Sequence, residues 1–436
     1  MRLYITDSTS CITGSAVKSI LGKSRDTVFI VPEPAKAQVE RCVINTLAGM
    51  NGGGAFKASV RDKTKTIPVT AAFAGGDVVS FLKLSDRILG ACGVIMPSSG
   101  DIILRNAIYD VLAAHHDEFN TFGNLMGRCE NINKLISILG DFARYRINAE
   151  EIGRAVDAAK DKESSYVGKL KDIKLLMEYL NELSDMYSLK LLTDPIGMAS
   201  DILSRIGEAD LSAARYRQLR MILSHDIAVV QFGVTRNLTP GEYALLKELD
   251  RLSHGVDIYL NGSTEEGRGA FYKCSDQVIR TLKDSCDAQL INVPSEDSGS
   301  DLSRIAGCYS EGDMKPLSGM GTDKVVLSDI EGTDSRIGYI MDSIMDLTRR
   351  EGYRYRDIRI VCCDEDLTAK FRSIASGYGL DIFIDRKIAL NNTAVPKFVE
   401  LFLKLPISRF RLEDVLAILR SGMLKVHPRY VDIFEN

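Results

Sequence analysis

The chain has 436 residues, room for two to four domains, and its 45% hydrophobic and 26% charged content is that of a globular protein rather than a disordered or fibrous one. A net charge of -4 excludes a protein that holds nucleic acid through bulk positive charge, so any grip on phosphate must come from a local groove or a basic partner. Nine cysteines without a C-x-x-C pair read as reduced structural thiols, with no metal site. There is no signal peptide, and the longest apolar run, around residues 88–96, is too short to cross a bilayer, so a cytoplasmic protein without a membrane span is expected.

Residues 3–5 predict an opening strand, and residues 6–14 (TDSTSCITG) a turn into a helix. A nucleotide-binding motor carries G-x-x-x-x-G-K-[ST] at this place, because backbone amides and the lysine cradle phosphates. Here Thr6 and Cys11 stand where the glycines would, Ile12 stands where the lysine would, and only Thr13 fits. A second frame, Gly22-Lys23-Ser24, falls at the far end of the helix, whereas a phosphate site needs the tripeptide at a helix start. Residues 27–31 predict the second strand, followed by Pro32-Glu33 and a helix through Gln38. Residues 49–54 (GMNGGG) read as a loop tip.

In the run DVVSFLKL (77–84), Ser80 and Lys83 offer a hydroxyl and a cation to phosphate, and Phe81 offers a stacking face. The same residues equally fit a core Phe81 with a solvated Lys83. From 101 to about 205 the pattern is helical. One stripe is Ile102, Ile103, Ala107 and Ile108, a second is Leu135, Ile138, Leu139, Phe142 and Tyr145, and a third is Leu170, Ile173, Leu176, Met177 and Leu180. His115-His116 diverge on a helix and lack a third ligand.

Residues 227–232 predict a buried strand, and Thr239-Pro240-x-Glu242 a capped helix start. A working ATPase ends that strand with a magnesium-holding acid, but Gln231, Phe232 and Gly233 supply none. Residues 256–260 predict another strand, and residues 294–323, rich in Ser, Gly and Asp, a linker. Between 324 and 385 the order is strand (325–327), helix (Ile337, Ile340, Met341, Ile344, Leu347), strand (358–362), helix (367–378) and strand (381–384). That is a doubly wound α/β unit, with Gly352 and Gly379 placed to stop its helices and Cys362-Cys363 inside a buried strand. A helix from 395 to 403 and the run EDVLAILRSGML (413–424) follow.

Several of these runs carry a resemblance. GYRYRDIRIV (352–361) with YGLDIFIDRK (378–387) resembles the B subunit of the AddAB/RexAB (AddB/RexB) helicase–nucleases and, more distantly, the second motor domain of superfamily 1 helicases. VPEPAKAQVE (31–40) keeps the family's frame, with Pro34 where glutamine is usual. DVVSFLKL, FARYRINAEEI (142–152), KLKDIKLLMEYLNEL (169–183), LTPGEYALL (238–246) and EDVLAILRSGML also resemble family runs.

The resemblance implies α/β architecture: two RecA-like (P-loop NTPase-like) parallel-sheet domains with helical insertions. The first would comprise 1–100 and 211–290, with a helical insertion at 101–210. A linker at 291–323, a second domain at 324–409 and the start of another insertion at 410–436 would follow. It implies a non-motor part that guides and inspects single-stranded DNA beside an A subunit, in double-strand break repair by homologous recombination. Gln38, Ser80, Phe81 and Lys83 would line the DNA channel. The family's iron–sulphur cluster and magnesium belong to a nuclease domain outside this chain, leaving no cofactor or metal here. The alternatives are a working superfamily 1 ATPase with an unusual phosphate loop, supported by Gly22-Lys23-Ser24, and a two-domain α/β binding protein unrelated to DNA.

Overall fold

A computed structural model describes residues 1–6, 12–23, 26–50, 55–60, 63–68, 77–94, 100–122, 129–159, 164–187, 192, 194–207, 213–230, 237–262, 272–293, 305, 308, 325–364, 367–384, 390 and 393–435. The chain divides into two compact units, Met1–Asp323 and Lys324–Asn436.

The first unit is built on a six-stranded sheet in the order β5-β2-β6-β7-β1-β8. Its strands are β1 (Arg2–Thr6), β2 (Thr27–Ile30), β5 (Asp77–Val79), β6 (Asp226–Val230), β7 (Val256–Asn261) and β8 (Gln289–Asn292). Every pairing in it is parallel. The strands other than β8 read as largely apolar runs because helices cover both faces. Successive residues alternate between two cores. Leu3, Ile5, Val28, Ile30, Val79, Ile227, Val229, Ile258 and Leu260 enter one. Tyr4, Phe29, Val31, Val78, Ala228, Val230 and Tyr259 enter the other.

Helices α1 (Ile12–Lys23) and α2 (Lys36–Met50) cover the second face through Val17, Ile20, Val39 and Val43. The first face is covered by α3 (Phe81–Ala91), α8 (Pro195–Ser204), α9 (Arg217–Leu223), α10 (Pro240–Leu252) and α11 (Lys273–Cys286). Thr239 caps α10 in a reciprocal box with Glu242, satisfying two backbone donors at once. Strand β8 was not legible as one: residues 291–292, predicted to open the linker, instead pair with β1 at the sheet's edge. A separate antiparallel hairpin, β3 (Ala55–Val60) with β4 (Lys63–Pro68), lies between α2 and β5 in sequence.

The helical insertion has its own core from α4 (Gly100–Ala114), α5 (Cys129–Arg144), α6 (Ala149–Ala158) and α7 (Ser165–Tyr187). The expected stripe on α4 is rotated: Leu104, Ile108, Val111 and Leu112 are buried, while Ile102 is exposed. On α5, Leu135 and Leu139 are buried but Ile138 faces solvent, as does Tyr145 just past the helix's end. The stripe on α7 stands, with Ile173, Leu176, Met177 and Leu180 buried. Buried Asp172 accepts backbone hydrogen bonds from Asn120 (3.0 Å), Thr121 (2.5 Å) and Phe122 (3.0 Å), pinning the loop after α4 onto α7. Helix α8, expected within the insertion, puts Ala199 and Leu203 into the sheet's core instead.

The second unit contains α12 (Thr333–Arg349), α13 (Leu367–Gly377), α14 (Ala394–Ile407), α15 (Leu412–Arg420) and α16 (Pro428–Glu435). Gly379, at φ +70°, ends α13 in a Schellman motif, with Leu380 N–H on the Ala375 carbonyl (2.9 Å) and Gly379 N–H on that of Ser376 (3.0 Å). Ile337, Met341 and Ile344 pack with Phe371 and Ala375, and Ile358, Leu380 and Ile382 lean onto that core. The three predicted strands do not form: among the described residues 325–330, 358–364 and 380–384 no ladder pairing is made. Cys362 and Cys363, expected inside a buried strand, are exposed.

Candidate nucleic-acid interface

In a parallel sheet all strands end on one edge, and ligands of open α/β sheets bind outside it. Strands β2 and β5 are neighbours there, joined past their ends by Val31 N–H on the Val79 carbonyl at 2.9 Å. The turns that follow these two strands therefore start side by side, and they carry Gln38, Ser80 and Lys83.

After β2 the chain makes a tight turn, Glu33–Ala35, closed by Ala35 N–H on the Pro32 carbonyl (2.9 Å). Pro34 is tolerated because its missing N–H falls where no helical partner exists. Gln38 follows in the first turn of α2 and is exposed.

After β5, Ser80 caps α3 in extended geometry, its hydroxyl accepting the Lys83 N–H at 3.4 Å. That leaves the hydroxyl proton for an outside acceptor. Lys83 is exposed one turn along. The neighbouring cation Arg87 is ion-paired with Asp77.

Phe81 requires a correction. It is 6% exposed and packs in the sheet's core with Leu84 and Ile88, so its ring offers no stacking face. The cause is helical spacing: 81, 84 and 88 share the buried face of α3, and Phe81 is its first member. That periodicity was legible in the sequence.

At the degenerate nucleotide position, Thr6 ends β1 and its carbonyl accepts Gly262 N–H at 3.1 Å. Cys11 lies outside the described residues, and Ile12 and Thr13 open α1. The strand-to-helix frame of a phosphate loop is present, while the sequence puts isoleucine where the cation would be. Gly22 and Lys23 occupy the last turn of α1, the negative end of its dipole and the wrong end for phosphate. Gln231, Phe232 and Gly233 lie outside the described residues.

Near this position Tyr4 and Tyr259 stack with ring centroids 4.6 Å apart, a pair that sequence reading missed because it joins strands 255 residues apart. Burial pushes the Tyr259 hydroxyl well above the usual phenol range, so it stays protonated. The His115 ring stacks on Tyr179 at 4.0 Å and its Nδ1 lies 2.8 Å from Glu118. Among the described residues no group of three or more His, Cys, Asp or Glu is placed to hold a metal, and no helix is long and apolar enough to cross a membrane.

Comparison with known proteins bears on the whole of this frame. The family model described as "ADDB, N-terminal" matches residues 8–306. A Clostridium tetani protein, named as the B subunit of an ATP-dependent helicase/deoxyribonuclease, is 23% identical over 449 residues, covering 94% of this chain and 34% of the relative. Proteins of the same name from Desulforudis audaxviator (23% identical, 94% of this chain, 33% of the relative) and Clostridium acetobutylicum (21%, 98% and 35%) are similar in the same way. The chain spans about one third of the length of these relatives. The matched region starts just after β1 and runs through the other five strands of the sheet and the whole helical insertion, and on that match the chain belongs to the AddB N-terminal family.

Proposed function

We propose that the first unit is a helicase-like DNA guide without a motor, working within a two-subunit helicase–nuclease on double-strand break repair by homologous recombination. The family match from 8 to 306 carries this reading. The relatives are named as one subunit of a helicase/deoxyribonuclease, which supports a partner chain and a DNA substrate for the whole protein. Single-stranded DNA crosses the carboxyl edge of the sheet, where Gln38 and Ser80 hydrogen-bond it and Lys83 neutralises one phosphate. The absence of a motor rests on sequence: Ile12 has no cation for phosphate, and Gln231, Phe232 and Gly233 have no carboxylate for magnesium. The alternative of a working ATPase depended on Lys23, which stands in the last turn of α1.

The test is binding of a labelled single-stranded oligonucleotide over a salt series, with an ATPase assay alongside. Binding that weakens with salt is expected, and Lys83→Ala should flatten the salt slope by about one unit regardless of sequence. No ATP hydrolysis is expected. A protein that binds no single strand at low salt would refute the guide, and DNA-stimulated hydrolysis lost in Lys23→Ala would restore the motor.

A further inference from the structure

Helix α9 buries Leu219 and Leu223 in the sheet's core and leaves Arg217 and Arg220 exposed. The two arginines are three residues apart, so they stand one above the other on adjacent turns. Three other helical arginines of this unit each pair with a carboxylate three residues before them: Arg144 with Asp141, Arg154 with Glu151 and Arg251 with Glu248. On α9 the residue three before Arg220 is Arg217, and the helix contains no acid. Among the described residues neither arginine has an ion-pair partner. Like charges stacked in this way are unfavourable, the more so on a helix of seven residues, and a bound anion relieves them.

The position of α9 says where that anion comes from. It packs against α3, the helix that carries Lys83, on the same face of the sheet. The exposed side chains of these two helices include Lys83, Arg87, Arg217 and Arg220 against the single acid Asp86, and Arg87 is engaged by Asp77 at the start of β5. In a chain whose total charge is -4, that excess is local, which is the form a phosphate grip must take in an acidic protein. A strand that crosses the carboxyl edge over Ser80 and Lys83 and leaves along α3 meets α9 next. Guanidinium groups suit it, since their forked donors match two phosphate oxygens at once and carry no information about the base.

We propose that Arg217 and Arg220 form a phosphate clamp, which extends the path of single-stranded DNA from the edge of the sheet onto α9. The clamp rests on the DNA-guide reading above, but it uses a different helix and different residues.

The test uses the full chain, a labelled single-stranded oligonucleotide of scrambled sequence, and salt from about 50 to 200 mM. The neutralised variant is Arg217→Gln/Arg220→Gln, and the charge-keeping control is Arg217→Lys/Arg220→Lys. Loss of two phosphate contacts predicts a salt slope shallower by about 1.4 in the neutralised variant and unchanged in the control. Both side chains are exposed, so the two variants should melt with the wild type. A constant inactive fraction would lower the apparent affinity and leave the slope as it is. An unchanged slope in the neutralised variant, with Lys83→Ala still flattening it, would overturn the clamp and leave the guide standing. A lysine control that flattens as much as the glutamine variant would overturn the clamp as well, since charge would then not be what was lost. A wild type that binds no single strand would overturn both readings. Displacement of the strand by poly-glutamate as readily as by an unlabelled oligonucleotide would overturn the assignment to nucleic acid.

Discussion

Two regions of this molecule carry the same strand–helix–strand alternation and come out differently. In the first unit Leu3 and Phe29 are 0% exposed, held in a ladder with helices on both faces. In the second, Leu327 is 99% and Phe383 is 91% exposed, on segments that make no ladder. The difference lies in where each element finds its partners. Helices α12 and α13 satisfy their own backbones and need only one stripe of contact, which Ile337, Met341 and Phe371 supply. A parallel strand satisfies nothing by itself and must be paired from far along the chain. The first unit achieves this even across an interruption: β2 pairs with β5 on one side and with β6, beyond the entire helical insertion, on the other.

The sharpest way to break this comparison is to truncate equivalent residues. Phe29→Ala should cost about 3–5 kcal/mol, because the ring fills the interior beneath α1 and α2. Leu327→Ala should change stability by no more than about 0.5 kcal/mol. Chemical denaturation with hydrogen exchange to separate the units would measure both. A large loss at Leu327 would mean that the segment is packed in solution.

Next in size is Asp172→Ala in the helical insertion. It leaves the N–H groups of Asn120, Thr121 and Phe122 without their carboxylate, at a cost of about 2–3 kcal/mol. Faster amide exchange at 120–122, with the sheet's protection unchanged, would show that the insertion's core is held separately. Gly241→Ala tests how closely α8 meets α10 on the sheet. An added Cβ would stand 2.5 Å from an Asp194 carboxyl oxygen and 3.1 Å from the Gly197 nitrogen, so the helices must part, at about 1–3 kcal/mol. A melting temperature equal to the wild type's would show that the two helices are not fixed against each other.

Most of the sheet was legible because its strands are apolar on both faces, and the start of α10 because its capping box is written in four residues. Strand β8 was not, since QLIN is short and sits at an edge, with only Ile291 partly buried. The hairpin escaped notice although Phe56, Ala58 and Val60 alternate with polar residues in its first strand, because lysine and threonine fill most of the second. In the second unit the apolar runs were read correctly as residues and wrongly as strands: a run of Val and Ile states a preference for extension and cannot supply a neighbour. At the candidate interface, Ser80 and Lys83 are placed by the cap of α3, a local signal. Phe81 was misread because a stacking ring and a core ring look alike until its spacing with Leu84 and Ile88 is weighed.

The smallest effect concerns Asp194, the cap of α8, and its dependence on pH. Its carboxylate accepts the N–H groups of Ile196 (3.1 Å) and Gly197 (2.9 Å). Burial raises its pKa above the ordinary aspartate value; those two bonds and Arg146 oppose the rise, and Glu242 adds to it. A carboxyl that holds its proton more tightly in the folded state stabilises the protein at low pH. It gives up that advantage as pH climbs from the unfolded value through the raised folded value. Asparagine caps as well as aspartate and carries no charge to desolvate. Asp194→Asn should therefore gain on the wild type as pH rises through that window and hold a constant lead above it. Melting temperatures of the two proteins from acid to neutral pH would show the curves diverging upward. An asparagine variant that falls behind at neutral pH would mean that the Arg146 charge and the helix dipole outweigh burial. In that case α8 would be tied to the turn before α6 by the Arg146–Asp201 pair (3.0 Å) and the Asp194 charge together.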